Sequence, residues 1–304
     1  MKTFIVGHKN PDTDSVVSAV ALAGLEKSLD KNYTPAIADP VNKETIYVLD
    51  KFGFRKPDFI PGEEKEVILV DHNEPSQISE NVKNEEIVGI FDHHKLGGLS
   101  TPGPISVRMK PVGSTSTIIA QIFQSRNIKP KENIASILLA GILSDTLKFN
   151  SPTSTKEDEE VAEFLNQIAK LNIDELAQEM FKAKSDLTGI SSEELIDSDY
   201  KNFDIKGKKV GVGVFETVDP SPALERKEEL VKTIAEKKNK ENLSHLLFAI
   251  IDIIRKEAYF ITSDSSDEEL VKKALKVEQR NNNLVASGTV SRKKQIIPAL
   301  EKAL

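Results

Sequence analysis

Side chains able to bind a metal ion are concentrated in a few short stretches of this chain. The stretch "VGHKNPDTDS" carries one histidine and two aspartates, and "VDHN", "DHHK" and "SDTLKFNSPT" follow later. The chain has no cysteine, so any metal must be held by imidazole nitrogens and carboxylate oxygens. Such a donor set favours Mn²⁺, Co²⁺ or Mg²⁺ over structural zinc. The candidate ligands lie at His8, Asp12, Asp14, Asp71, Asp145 and the triplet Asp92–His94, from which four carboxylates and two imidazoles could bind metal.

Four carboxylates and two imidazoles are too many for one four-coordinate ion. They suit two ions that share one carboxylate as a bridge. Two ions about 3.5–4 Å apart can lower the pKa of a shared water and present hydroxide to a phosphorus centre. The expected chemistry is therefore hydrolytic phosphoryl transfer.

Each candidate has a simpler interpretation when it is taken alone. A histidine after a strand or an aspartate before a helix is typical of a turn or a helix cap. The metal interpretation depends on convergence, because three predicted strands end at His8, at Asp71 and at Asp92 to His94. The carboxyl ends of parallel strands lie along one edge of a sheet, where α/β folds place their ligands.

The elements that must position these residues alternate between β-branched runs and helical patterns, which predicts a parallel sheet with crossover helices. Strands are predicted at "TFIVGH", "TPAIA", "EVILVD" and "EIVGIFDHH". The first helix is predicted at "DSVVSAVALAGLEKSL", capped by Thr13 or Asp14, and the second at "NKETIYVLDKFG", ending at Gly53. Later helices are predicted at "STSTIIAQIFQSRN", "ENIASILLAGILSDT", "TKEDEEVAEFLNQIAKLN" and "DELAQEMFKAKS".

A stretch rich in Gly, Ser and Asp then breaks the periodicity. It predicts a linker at residues 185–193, between a first α/β domain at 1–184 and a smaller mixed-sheet α/β domain at 194–304. Strands are predicted there at "KKVGVGVFETV", "HLLFAIIDII", "EAYFITS" and "NLVASGTV", with helices at "ALERKEELVKTIAEKKNKE" and "DEELVKKALK". An active-site cleft would form between the two domains if the second folded over the metals of the first.

Charge and hydropathy narrow the functional classes. A net charge of −7 argues against broad contact with nucleic acid, which rewards a basic face. The chain has neither a signal-peptide pattern nor the roughly 18 consecutive apolar residues of a membrane span, so no membrane association and a cytoplasmic location are expected.

Groups that could bind a small anion are fewer than the candidate metal ligands. "SRKKQ" places Arg292, Lys293 and Lys294 together, although this pattern is also typical of an exposed basic turn. Lys201 lies in a polar stretch where a lysine is normally solvated. "PVGSTST" could donate backbone amides to an anion or form a plain helix cap. His245 is expected to be structural, and Met180 to lie in the core.

Taken together, the motifs resemble a known family. "GHKNPDTDS", "VDHN", "DHHK", "PVGSTST", "SDTLKFNSPT" and "SRKKQ" occur in the order and approximate spacing of the family II inorganic pyrophosphatases. These enzymes are the manganese- or cobalt-dependent branch of the DHH phosphoesterase superfamily. The resemblance extends from His8 to Gln295 and implies hydrolysis of pyrophosphate to two orthophosphates by a metal-bridged hydroxide.

The resemblance also implies cofactors and assembly. Two Mn²⁺ or Co²⁺ ions per subunit, further Mg²⁺ with the substrate, and a homodimer are expected. The first domain would be the DHH metal-binding catalytic domain, and the second a DHHA2-like substrate-binding domain.

The roles of individual residues follow from the same resemblance. His8 and Asp12 would hold one ion together with Asp145, Asp14 and His93 would hold the other, and Asp71 would bridge them. His94 would act as a general acid or phosphate ligand, and the phosphates would be bound by Lys201, Arg292 and Lys293. Asn150 stands where the family usually has lysine, with Lys148 as a partial substitute.

Three alternatives share part of this pattern. A short-chain polyphosphatase would use the same metals and the same basic cluster. A DHH-type phosphodiesterase acting on short oligonucleotides usually carries a "GGGH"-like motif, which this sequence lacks. A non-catalytic metal- or nucleotide-binding regulator would lack at least one ligand or the basic cluster, and every position is filled.

Overall fold

The computed structural model of the chain describes residues 2–27, 29 and 31–304. It divides into two compact units, Met1–Ala183 and Lys184–Leu304. Across the described ranges, no helix combines the length and the apolar character needed to cross a lipid bilayer.

The first unit is built on a parallel sheet. Its strands, among the described residues, are β1 (Thr3–Val6), β2 (Tyr33–Ile37), β3 (Asp58–Phe59), β4 (Glu66–Val70), β5 (Ile87–Asp92) and β6 (Ser106–Met109). They lie in the order β3-β2-β1-β4-β5-β6, and every neighbouring pair is parallel. This doubly wound order reverses between β1 and β4, and a ligand is expected just beyond the carboxyl ends of strands at such a reversal.

The helices of this unit overlap the predicted ones. They are α1 (Thr13–Lys27), α2 (Lys43–Lys51), α3 (Thr115–Ser125), α4 (Glu132–Asp145), α5 (Lys156–Ala169) and α6 (Ile173–Lys184). The prediction that Thr13 or Asp14 caps α1 is wrong, because Asp12 accepts the amide of Ser15 at 2.9 Å. Helices α1, α3 and α4 contribute most of the main core, which also contains Met180.

The edge strands β3 and β6 were not predicted. They are 2 and 4 residues long and mostly exposed, so neither carries a buried apolar pattern that a sequence could reveal.

The second unit contains a mixed sheet. The strands described are β7 (Tyr200–Ile205), β8 (Lys208–Thr217), β9 (His245–Asp252), β10 (Glu257–Ile261), β11 (Glu278–Arg280) and β12 (Asn283–Ser287). Their order is β11-β12-β10-β9-β8-β7, with β8 and β9 parallel and the other pairs antiparallel. The predicted fold class, a parallel-sheet domain followed by a smaller mixed-sheet domain, is confirmed.

Helices cover both faces of this second sheet. They are α7 (Ser192–Asp197), α8 (Ser221–Glu225), α9 (Lys227–Lys240), α10 (Ser265–Ala274) and α11 (Ile297–Ala303). Helices α7, α8 and α9 pack on one face, and α10 and α11 pack on the other.

Three local expectations for this unit change. The single charged helix predicted from "ALERKEELVKTIAEKKNKE" is interrupted at Arg226, which ends α8 and precedes α9. Lys201, assigned to a polar linker region, lies on β7. The predicted linker at 185–193 overlaps α7, which begins at Ser192.

His245 is buried, with its Nδ1 2.8 Å from Asp267, as a structural role requires.

Candidate metal centre

Asp71 lies at the centre of the candidate site, just past the end of β4. Its Oδ2 is 3.5 Å from Nε2 of His8, which follows β1, and its Oδ1 is 3.3 Å from Nε2 of His93, which follows β5. Asp12, in the loop between β1 and α1, has Oδ1 3.7 Å from the same nitrogen of His8. The reversal of strand order thus brings together residues that are more than 80 positions apart.

The potential ligand atoms form three groups that share Asp71. Two of them divide the six candidate ligands: one contains His8, Asp12 and Asp71, and the other contains Asp14, Asp71, His93 and Asp145. The third overlaps the second and contains Asp71, His93 and His94. Within each group the atoms lie within 4.8 Å of one another. Asp145 was expected to hold an ion together with His8 and Asp12. In the structure it is the last residue of α4 and groups with Asp14, Asp71 and His93, its Oδ2 lying 3.4 Å from Nε2 of His93.

The histidine rings are oriented as metal ligands require. Nδ1 of His8 lies 2.7 Å from the carbonyl of Lys9, and Nδ1 of His93 lies 2.9 Å from the carbonyl of Val112. A carbonyl only accepts hydrogen bonds, so Nδ1 carries the proton in each ring and Nε2 is turned towards Asp71. Metal-binding histidines characteristically donate their other nitrogen in this way.

Two buried atoms at the centre have no hydrogen-bond partner, namely Oδ2 of Asp71 and Nε2 of His93. Buried polar atoms are normally paired, so one unpaired carboxylate oxygen and one unpaired imidazole nitrogen at the same centre call for an ion. The oxygen and nitrogen donor set fits Mn²⁺. The residues present therefore fit the expected metal.

Asp71 is fixed by its backbone and by one hydroxyl. Its φ of 65° lies in the left-handed region, which aspartate tolerates better than most residues and which is common at functional sites. Its amide donates to the carbonyl of Phe91 at 2.9 Å, and Oδ1 accepts the hydroxyl of Thr115 at 2.9 Å. The carboxylate, only 1% exposed, is thus held in one orientation.

Asp14 is held by the first turn of α3. Its Oδ1 accepts the Ser114 hydroxyl at 2.7 Å and the Ser116 amide at 3.0 Å, and its Oδ2 accepts the Thr115 amide at 2.7 Å. The amides of "PVGSTST" therefore bind a carboxylate of the protein itself, so two of the amides proposed to receive an external anion are already occupied. A carboxylate has about four lone-pair sites, so the three hydrogen bonds leave room for one further ligand.

The electrostatics of the centre are those of a crowded anionic site. Burial and the neighbouring Asp71 raise the pKa of Asp14 to about 7, and burial and the nearby Asp12 raise the pKa of Asp145 well above its usual range. Burial opposes protonation of His93, but Asp145 and Asp71 outweigh it and raise its pKa to about 12. In the same way Asp12 and Asp71 raise the pKa of His8 to about 11. Bound protons thus take the place that a cation would fill.

The pKa of Asp71 is shifted in the opposite direction from those of Asp14 and Asp145. Burial alone would raise its pKa, but the imidazoles of His8 and His93 on either side hold that pKa well below its usual range. Asp71 therefore stays ionised, which suits a shared ligand.

The residues of the "DHH" triplet differ in what they contact. His93 faces Asp71, whereas Asp92 accepts the backbone amide of His94 at 3.1 Å and lies 2.9 Å from its Nδ1. The other oxygen of Asp92 accepts the side-chain amide of Asn73. Asp92 is absent from all three groups around Asp71 and orients His94, a role that sequence reasoning missed although the two residues are only two positions apart.

A cavity of about 580 Å³ opens over this centre. Six of the residues already described line it, among them Val112 and His94, whose side chain is half-exposed. The other lining residues are Gln77, Lys95, Gly113 and Thr153. Of these four, Gln77 lies outside every motif that the sequence offered.

The segment after Asp145 adopts an unusual backbone. Leu147, Lys148 and Phe149 all have positive φ, between 48° and 65°. Lys148, the expected partial substitute for a lysine at position 150, forms an ion pair with the exposed Asp174. The side chain of Asn150 donates to the carbonyls of Leu147 and Lys148, each at 3.0 Å, which stabilises the turn.

In the second unit, the expected phosphate-binding residues lie on two elements. Lys201 is exposed on β7, and Lys293 is exposed on the π-helical turn Arg292–Ile296. The guanidinium of Arg292 is largely buried and donates to the carboxylate of Asp199 at 2.6 Å. Gln295 accepts the amides of Val290 and Ser291 at 2.9 and 3.0 Å and so pins the start of this turn.

The fold and the centre together define a metal-dependent phosphoesterase of the DHH class. The chain matches the DHH family N-terminal domain over residues 2–142 and the DHHA2 domain over residues 178–303. It is 41% identical to a manganese-dependent inorganic pyrophosphatase of Methanocaldococcus jannaschii, over 99% of this chain and 98% of that one. It is 37% identical to one from Methanothrix thermoacetophila, over 99% and 97%. The chain belongs to the family of manganese-dependent, or family II, inorganic pyrophosphatases.

Solved structures agree with this assignment. A crystal structure from Methanococcus jannaschii, assigned to family II of the inorganic pyrophosphatases, matches with a TM-score of 0.65 and 40% identity, covering 99% of both chains. An exopolyphosphatase-related protein from Bacteroides fragilis shares the fold, with a TM-score of 0.52 at 15% identity, covering 99% of this chain and 92% of that one.

Proposed function

We propose that this protein hydrolyses inorganic pyrophosphate to two orthophosphates in a manganese-dependent reaction. The observation that carries the proposal is the pair of ligand groups sharing Asp71, whose Oδ2 is buried without a hydrogen-bond partner. The relatives named as manganese-dependent inorganic pyrophosphatases match over their full length, which supports the same substrate.

The ligands proposed for two Mn²⁺ or Co²⁺ ions are His8, Asp12, Asp14, Asp71, His93 and Asp145. Asp71 is the shared ligand, with His8 and Asp12 on one side of it. The ions, when bound, supply Lewis acidity that lowers the pKa of water and polarises phosphate oxygens. Further Mg²⁺ would accompany the substrate.

The chain's own residues then bind and orient. His94, held by Asp92 and half-exposed to the cavity, is positioned to donate a proton or a hydrogen bond to a phosphate oxygen. Lys201, Arg292 and Lys293 would bind the phosphates by charge-assisted hydrogen bonds. In this division of labour residues 1–184 hold the metal, and residues 194–304 bind substrate.

Several companion proposals rest on the sequence and the family. They are a homodimer, a cytoplasmic location and no function on nucleic acid. The net charge of −7 supports the last, because binding to a polyanion is rewarded by a basic face.

The test is phosphate release from pyrophosphate, tripolyphosphate and a dinucleotide, each with Mn²⁺ and with Mg²⁺ present. We expect pyrophosphate to be cleaved fastest, and with Mn²⁺ loaded. Faster cleavage of the dinucleotide would refute the substrate assignment. Faster cleavage of tripolyphosphate would favour a polyphosphatase.

A further inference from the structure

We propose that Asp199 is a positioning residue that holds the guanidinium of Arg292 beside Lys201, so that the two cations form one preassembled phosphate-binding unit. The inference rests on the proposed function, because it assigns the partner of a residue proposed to bind substrate. No motif that suggested the function includes Asp199.

Arg292 is tied to the start of β7 and to β8. Its Nη2 donates to Oδ1 of Asp199 at 2.6 Å, and its Nη1 donates to the carbonyl of Val212 at 3.3 Å and to that of Asp199. The Asp199 carbonyl also accepts the amide of Val214 at 3.0 Å, so this segment is itself anchored to β8. With a side chain only 10% exposed, Arg292 is fixed in one conformation.

The strand register places Lys201 next to this contact. Val212, whose carbonyl Arg292 binds, is the residue paired with Lys201 across β7 and β8. Asp199 lies two positions before Lys201 in the chain. One acidic side chain therefore connects the turn that carries Arg292 to the strand that carries Lys201.

Both cations also belong to the same face of the second sheet. Tyr200 bonds Glu241 at the end of α9, so alternation along the strand directs Lys201 to the opposite face. Phe203, two positions after Lys201, packs on the core formed with Ile296, which closes the Arg292 turn.

The contacts leave Arg292 able to bind an anion. A guanidinium has five N–H groups, and the three hydrogen bonds described above leave two for a phosphate. A side chain held in place before binding loses less conformational entropy when the substrate arrives. Removing the Asp199 carboxylate would leave Arg292 charged and held only through Nη1, by its hydrogen bonds to the carbonyls of Asp199 and Val212.

The test is a double-mutant cycle in the full-length, manganese-loaded enzyme, measuring kcat and KM for pyrophosphate. Asp199→Ala should raise KM about tenfold, the factor expected for loss of a hydrogen bond to a charged group, with kcat changed much less. In an Arg292→Ala background the same substitution should change KM by less than about twofold, because its effect passes through Arg292. Asp199→Asn, which keeps an acceptor, should fall between wild type and Asp199→Ala.

Asp197→Ala is the matched control. Asp197 lies two residues earlier and loses the same charge, but its ion pair, at 2.8 Å, is with Lys237. It should leave KM near the wild-type value.

Three results would overturn the inference. The first is a lower KM in Asp199→Ala, which would make Asp199 a competitor of the substrate. The others are equal changes of KM in Asp199→Ala and Asp197→Ala, or an effect of Asp199→Ala on KM that is undiminished in the Arg292→Ala background. Failure of the wild-type enzyme to hydrolyse pyrophosphate would instead refute the proposed function.

Discussion

Replacing Thr115 with valine should weaken manganese binding without removing any metal ligand. Thr115 is the first residue of α3, and it contacts two carboxylates of the candidate centre, those of Asp71 and Asp14. Its hydroxyl donates to Asp71 at 2.9 Å, and its amide donates to Asp14 at 2.7 Å. Valine has nearly the same shape and keeps the amide, so Thr115→Val removes only the hydrogen bond to Asp71.

The size of the effect follows from that single contact. A hydrogen bond to a charged acceptor contributes about 1.5–3 kcal/mol, and each 1.4 kcal/mol is a factor of ten in an equilibrium constant. If that loss falls on metal binding, the dissociation constant for Mn²⁺ rises about 10- to 100-fold, the range typical of residues that orient metal ligands. Thr115→Ser, which restores the hydroxyl, should recover most of the affinity.

Thr117→Val supplies the control on the same helix. The hydroxyl of Thr117 donates to the buried carboxylate of Asp158 at 2.6 Å, and Asp158 is not in either ligand group. Both valine variants should lower the free energy of unfolding of the metal-free protein. Calorimetric titration with Mn²⁺ should show weakened binding only in Thr115→Val, because Thr117 does not contact a ligand. Equal losses in the two variants, or wild-type affinity in Thr115→Val, would refute the orienting role.

Three further expectations concern the same unit. Asp145→Asn should lower kcat by about 100-fold or more, because it removes a proposed metal ligand, and near-normal turnover in a pyrophosphate assay would contradict the proposed two-ion site. The pKa of Asp14 is raised to about 7 in the folded metal-free protein, above its unfolded value of 3.8, so ionising it costs stability. The unfolding free energy of the chelated protein should therefore fall as pH rises from about 4 to 7, by at most about 1.4 kcal/mol per pH unit from this group, and Asp14→Asn should flatten that slope in denaturant titrations. Gly7→Ala should destabilise the protein by about 1–3 kcal/mol, because a Cβ there would lie 1.7 Å from Oγ of Ser15, whereas Gly103→Ala, with nothing within 4 Å, should leave the melting temperature unchanged.

Much of the fold was accessible from the sequence because its central elements carry strong patterns. Buried strands such as β4 and β5 read as continuous apolar runs, and α4 is apolar over most of its length. Elements at the edges were missed for the converse reason. Strand β7 mixes charged, polar and apolar residues, and its pairing with β8 depends on contacts that no local pattern records.

The sequence by itself determined the kinds of candidate metal ligand in this protein and the strand ends on which most of them lie. It could do so because strands end where apolar runs end, and because parallel strands share an edge. The absence of cysteine likewise settled the oxygen and nitrogen chemistry without any structure.

Only the tertiary structure decided which ligands face each other. Asp145 joins His93 instead of His8, and Asp14 is held by residues about 100 positions away at the start of α3. These outcomes depend on how closely α1, α3 and α4 approach. At Gly141 a Cβ would lie 2.2 Å from Oγ of Ser116 and 2.9 Å from Oδ1 of Asp14. Side-chain packing at such crossings sets positions to within an ångström, and the spacing of residues along a chain carries no information at that scale.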